Sequence, residues 1–263
     1  MIPFATMLGG ELGITAAIMA GYVGAVGQTG LFRIFQVQFG HHASHKTFIR
    51  GGAKKNEFYL NLATTIAFCQ NGEEYRSDHK AHHARKIFTT IKDPDAALLY
   101  RFGIRPGIDR RRLFRRYLQL MVSPRFHVFF LWNRIKSNFV TRESVPWRIV
   151  AAAWLGVLCG CFAILPVWVV VLTIWLPLTL FYQMSAVTQF ITEHAWLASE
   201  RMPKDISAHA QRCWGRFFGD PIPNHRKSLK AICVSWPVYI FRLFFLHFPG
   251  RYAVMIGDMP AHD

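Results

Sequence analysis

The sequence predicts an all-α, multi-pass membrane protein with a cytoplasmic helical cap that carries clustered histidines. Three observations predict it. Residues 149–190 contain no charged side chain, the 31 Lys and Arg residues are confined to two other segments, and the histidine clusters follow apolar runs. The chain is 52% hydrophobic and 17% charged, yet its formal net charge is +16. So apolar a composition excludes disorder, and apolar blocks with so few charges exclude an ordinary soluble domain. A chain both basic and apolar points to a membrane protein with a cationic face. Nucleic-acid binding is disfavoured, because no recognised module is present and the basic segments adjoin the apolar ones.

The N-terminal MIPFATMLGGELG lacks the basic region of a cleaved signal, so the first apolar stretch is read as part of the protein. A span is expected over about 12–32, with Gly and Ala positions suited to close helix packing, and Arg33 is its first cation. Residues 59–69 are apolar but number only 11, too few to cross. Residues 113–132 and 232–248 mix Arg with Phe, Leu and Tyr, the composition of interfacial helices, and for 232–248 a partial insertion stays open. The charge-free stretch is long enough for two spans, 148–165 and 167–188, turning at Pro166 with Pro177 inside the second. Trp147, Trp168, Trp175 and Tyr182 are interface or packing aromatics.

No Lys or Arg lies in 1–32 or 149–200. Under the positive-inside rule the segments 33–147 and 189–263 are both cytoplasmic, which agrees with one span in and a hairpin out and back. The whole of 1–263 reads as one membrane domain with this cap. The five cysteines, Cys69, Cys159, Cys161, Cys213 and Cys233, show no metal or disulfide spacing and read as reduced structural thiols.

Twelve histidines are present, and seven fall in ordered places. His41, His42 and His45 form GHHASH after the first span; His79, His82 and His83 form DHKAHH; His194 follows the hairpin. Helical residues three and four apart share a face, so each cluster can aim two or three imidazoles at one point. Imidazole is the commonest metal-binding side chain, and several imidazoles with few thiolates fit a redox-active first-row metal better than structural zinc. His127, His209, His225 and His247 lack such spacing and read as ordinary histidines.

These residues resemble the membrane fatty-acid desaturase superfamily, whose members share an HxxxH box, an HxxHH box, a helical hairpin, an extra histidine and a last HxxHH box. His41 and His45 match the first box, His79, His82 and His83 the second, His194 the extra ligand, and His262 in GDMPAHD the start of the last. The chain ends at Asp263, so the resemblance implies truncation within that box and an inactive fragment; the single span before the first box, where the family often has two, leaves the start open. It implies metal ligands at His41, His45, His79, His82, His83, His194 and His262. His42, Asp78, Glu193 and Asp263 are the candidates for an outer shell that orients the imidazoles.

The implied cofactor is a pair of non-haem irons with O2 as co-substrate, because attack on an aliphatic C–H bond needs a metal-centred oxidant. The implied substrate is an acyl lipid or acyl-CoA, held in a dry apolar slot. Electrons would come from an acidic donor such as a ferredoxin or cytochrome b5, and membrane lipids are the further partners. Arg110, Arg111 and Arg112 with Arg115 and Arg116, and Arg226, Lys227 and Lys230, are the cationic patches open to lipid headgroups or donor. A desaturase is the first reading; a hydroxylase or carotenoid ketolase of the superfamily, or a non-catalytic metal-binding membrane protein, stays open. Metal transport is disfavoured, since the hairpin carries no ionisable residue to line a path.

Overall fold

Each long apolar run forms a helix, and short turns, charged or containing Gly or Pro, separate them. The computed structural model describes residues 11–84, 87–194, 196, 220–223 and 228–255, and no strand occurs among the described residues. Residues 1–78 with 122–184 make one compact unit, and residues 79–121 with 185–263 make a second.

In the first unit, α1 (Glu11–Ile34) continues through a π-helical turn, Phe35–Gly40, into α2 (His41–Ser44). Ile34 and Gly40 both keep right-handed helical angles, so the run is unbroken. The expected first span therefore lengthens: Gly13–Ser44 is one apolar helix with His41 in its last turns. Lys46 takes a positive φ of 62° and ends it. The side chain of Asn56 then pins the following loop to α3 (Ala53–Ile66), accepting from Ile49 N at 3.0 Å and donating to Ile49 O at 2.7 Å and Gly52 O at 2.9 Å. With 14 residues, α3 is too short to cross, as expected.

The next helix, α4 (Gly72–His82), carries the second histidine cluster and starts where Asn71 caps it. Asn71 Oδ1 accepts from the backbone N–H of Glu73 and of Glu74, both at 3.0 Å. Glu73 and Glu74 in the first turn suit the positive end of the helix dipole.

In the second unit, α5 (Pro94–Arg101) is capped by Asp93 with Pro94 in its first turn, and α6 (Arg110–Met121) follows. The single interfacial segment expected over 113–132 is in fact two helices. Ser123 caps α7 (Pro124–Lys136) by accepting from Phe126 N at 3.3 Å, and Pro124 cannot continue the helix before it.

Back in the first unit, Arg134 on α7 reaches into the core. Its guanidinium donates to Phe68 O, Ala67 O and Leu178 O at 2.5, 2.9 and 2.8 Å and lies 4.3 Å from the Tyr182 ring centroid.

The charge-free stretch forms two helical runs. Helix α8 (Val145–Ile164) ends at Pro166, and a helical run of α9 (Val167–Val170), π-helical turns at Val171–Trp175 and Pro177–Phe181, and α10 (Tyr182–Glu193) makes the return. The π-helical turn absorbs Pro177, whose ring would clash in a regular helix. On α8 only Ala151 and Leu158 are buried, so its apolar surface faces outward on nearly all sides, as lipid requires. Trp154 Nε1 ties it to α3 through Ile66 O at 3.2 Å.

Residues 232–248 lie within a longer helical run: Ile232–Ala253 extends over 22 residues, through α11 (Leu229–Arg242) and two π-helical turns, and is long and apolar enough to cross. Among the described residues, four helices thus have the length and composition of a span.

Candidate metal centre

The first unit presents one histidine pair. His41 is buried and His45 exposed at the end of α2, their ring centroids 4.8 Å apart. The turn is held by His45 N–H and the Ser44 hydroxyl, which both donate to His41 O, at 3.2 and 2.7 Å. His42 between them points away. It is exposed, with Nδ1 3.5 Å from the Thr47 hydroxyl.

The described residues of the second unit present two pairs. His79 and His83, one helical turn apart, bring their Nε2 atoms to 2.9 Å. His82, on the adjacent face, is buried and places Nε2 at 3.0 Å from Nε2 of His194, which α10 delivers just past its last residue. The Phe88 ring stands edge-on to both, 5.2 Å from His82 and 4.8 Å from His194, and closes the pair off with apolar surface.

The other side of His82 is acidic. Asp93 is fully buried and its two carboxylate oxygens lie 2.9 and 3.0 Å from His82 Nδ1, with Asp95 at 3.6 Å. Burial would push the His82 pKa down, but the charges of Asp95, Asp93 and Glu193 and the Asp93 hydrogen bond outweigh it, and it is pushed up to about 10.

Two observations test whether these residues fit a metal. First-row metal–imidazole bonds of about 2.1 Å, as for zinc, separate two ligands at right angles by about 3 Å. The Nε2–Nε2 distances of 2.9 and 3.0 Å match that spacing. His82, Asp93 and Asp95 also form a potential metal group with ligand atoms within 4.8 Å of one another, but both carboxylates address Nδ1 and leave Nε2 facing His194. An imidazole-rich, thiolate-poor donor set suits iron. The residues fit.

The fatty acid desaturase family matches residues 17–253, nearly the whole chain. The chain belongs to the fatty acid desaturase family. No curated protein and no solved structure matches it.

Within this desaturase-family chain the structure gathers His41 with His45, His79 with His83, and His82 with His194. Asp78, expected beside an imidazole, accepts instead from the Gln70 amide at 2.5 Å. Glu193 is buried, accepts from Gln189 Nε2 at 3.2 Å, and acts on His82 through its charge. His262 and Asp263 lie outside the described residues, as do His209 and His225. His127 donates from Nδ1 to Gln183 Oε1 at 2.7 Å, and His247 Nε2 sits 3.0 Å from Asp220 Oδ2, the structural partners expected of unclustered histidines. Asp93 and Asp95 were missed by sequence reasoning. The Asp93-Pro94 step does announce a helix N-terminus, but nothing local says that the cap also touches a histidine eleven residues back.

Proposed function

We propose that this desaturase-family chain is a membrane-bound, O2-dependent acyl desaturase whose histidines hold two irons, by way of His41, His45, His79, His82, His83, His194 and His262. The observation that carries the reading is the Nε2 pairing of His82 with His194 and of His79 with His83 at 2.9–3.0 Å. Iron bound there would supply the oxidising power to remove hydrogen from an unactivated acyl chain.

The protein's part is to orient and to exclude water. Phe88 shields the His82–His194 pair, and the Asp93 and Asp95 carboxylates hold the Nδ1 side of His82. Confinement of Lys and Arg to 33–148 and 201–251 supports a cytoplasmic site in a multi-pass topology. On α6, exposed Arg110, Arg111, Arg112, Arg115 and Arg116 make a cationic surface suited to an acidic electron donor.

The test is expression of the full-length gene in cells that lack endogenous desaturation, with fatty-acid methyl esters read by gas chromatography and iron counted in the purified protein. A new double bond, lost in His82→Ala together with the iron, is the expected result. A new hydroxyl would reassign the reaction within the superfamily, and one zinc without iron would overturn the reading.

A further inference from the structure

We infer that Asp93 is a positioning residue for the metal site: it fixes the tautomer and ring orientation of His82 so that Nε2 alone faces the metal. This rests on the proposed role of His82 as a ligand and adds a residue outside the histidine clusters.

The argument is an inventory of donors. Asp93 Oδ2 accepts the backbone N–H of Thr89 at 2.7 Å, and Oδ1 accepts that of Asp95 at 3.0 Å. His82 Nδ1 meets the same two oxygens at 2.9 and 3.0 Å. An ionised carboxylate only accepts, so Nδ1 is the nitrogen that carries the proton. Nε2 of the neutral ring is then the bare lone pair, and it is the atom turned toward His194 at 3.0 Å. Metal-bound histidines depend on such a partner to hold the ring and raise its basicity.

The carboxylate is itself immobile. Asp93 is completely buried, its backbone is fixed as the cap of α5, and Thr89 is held at a positive φ of 58° so that its N–H points at the carboxylate. A non-glycine residue in that conformation carries strain that the surrounding contacts must offset. The 87–93 turn is thus wound to present one carboxylate to one imidazole.

The variants Asp93→Asn and Asp93→Ser separate this role from capping, because Asn, Ser and Asp are comparable N-caps. Asn keeps one oxygen for Nδ1–H, whereas Ser is too short to reach it. Full-length protein in detergent, stripped of metal, is titrated anaerobically with Co(II) and followed by its visible absorption, with circular dichroism reporting helix content. Affinity should fall from Asp to Asn to Ser, by about 10–100-fold overall, with an altered Co(II) spectrum and helix content unchanged. Asp95→Asn, 3.6 Å from Nδ1, should change affinity less than Asp93→Asn.

Equal affinity in the Asp, Asn and Ser proteins overturns the inference, as does metal loss that only tracks loss of helix. The His82→Ala chain separates the two levels. If it binds Co(II) like the wild type, the metal-site reading itself fails; if it alone loses Co(II) while the Asp93 variants retain it, only the positioning role fails.

Discussion

Nε2 of His82 and Nε2 of His194 face each other at 3.0 Å across 112 residues of sequence. Two imidazoles meeting nitrogen to nitrogen must share a proton or a metal ion, because two bare lone pairs repel. His82 is fixed by its own helix and by the Asp93 carboxylate, while His194 is carried there by the return helix of the apolar hairpin. The helix that ends the charge-free stretch thus also delivers one member of the pair.

Removing His194 should therefore cost metal without costing fold. His194→Ala is expected to lower iron affinity by more than the roughly 10–100-fold typical of outer-shell partners, since a direct ligand is lost. Iron per chain after anaerobic Fe(II) loading, alongside circular dichroism, checks it. Wild-type iron content in a folded variant would contradict it.

The spans were legible because lipid dictates them: forty-two consecutive uncharged residues, 149–190, have few other uses, and Pro166 marks the turn. The histidine pairs were legible because i, i+3 and i+4 spacing fixes a helical face before any tertiary contact forms. The Asp93 contact was not, because it depends on the irregular turns at 87–93, which the sequence does not state. Nor was the burial of Arg33, Arg134 and Arg142, at 1%, 3% and 0% exposure. Sequence reasoning sends cations to solvent or headgroups. These three go inward, and Arg134 does so because carbonyls at the end of α3 need donors that the helix cannot supply.

Arg134 yields the second prediction. Its three hydrogen bonds satisfy Phe68 O, Ala67 O and Leu178 O, and its guanidinium stacks on Tyr182. Arg134→Met fills the volume but strands those carbonyls, at about 1–3 kcal/mol for each one left dry. A loss of at least about 3 kcal/mol follows, a fall in Tm on the order of 10 °C for a chain of this size. Arg134→Lys should recover little, because one ammonium cannot reproduce the planar fork. Thermal unfolding in detergent measures both, and a Lys variant as stable as wild type would refute the fork argument.

The last prediction concerns pH. In the metal-free protein His82 titrates at about 10, above its ordinary value of about 6.5. A group raised on folding stabilises fully below its unfolded pKa, and its contribution declines as pH climbs through the folded value. Metal-free stability should thus fall between about pH 6.5 and 10, and His82→Gln should flatten that slope. The proton to be lost sits on Nε2, since Nδ1–H stays with Asp93, so a metal entering beside His194 must displace it. Metal binding and protonation then compete at one atom, and apparent affinity rises by up to about tenfold per pH unit over this window. Calorimetric Co(II) titrations between about pH 6.5 and 8.5, in buffers of different ionisation enthalpy, should show proton release on binding. In His82→Gln that release should shrink by about one proton per chain, and the wild-type affinity should steepen with pH relative to the variant. Identical proton release in the two proteins would place the displaced proton elsewhere and remove Nε2 of His82 from the site.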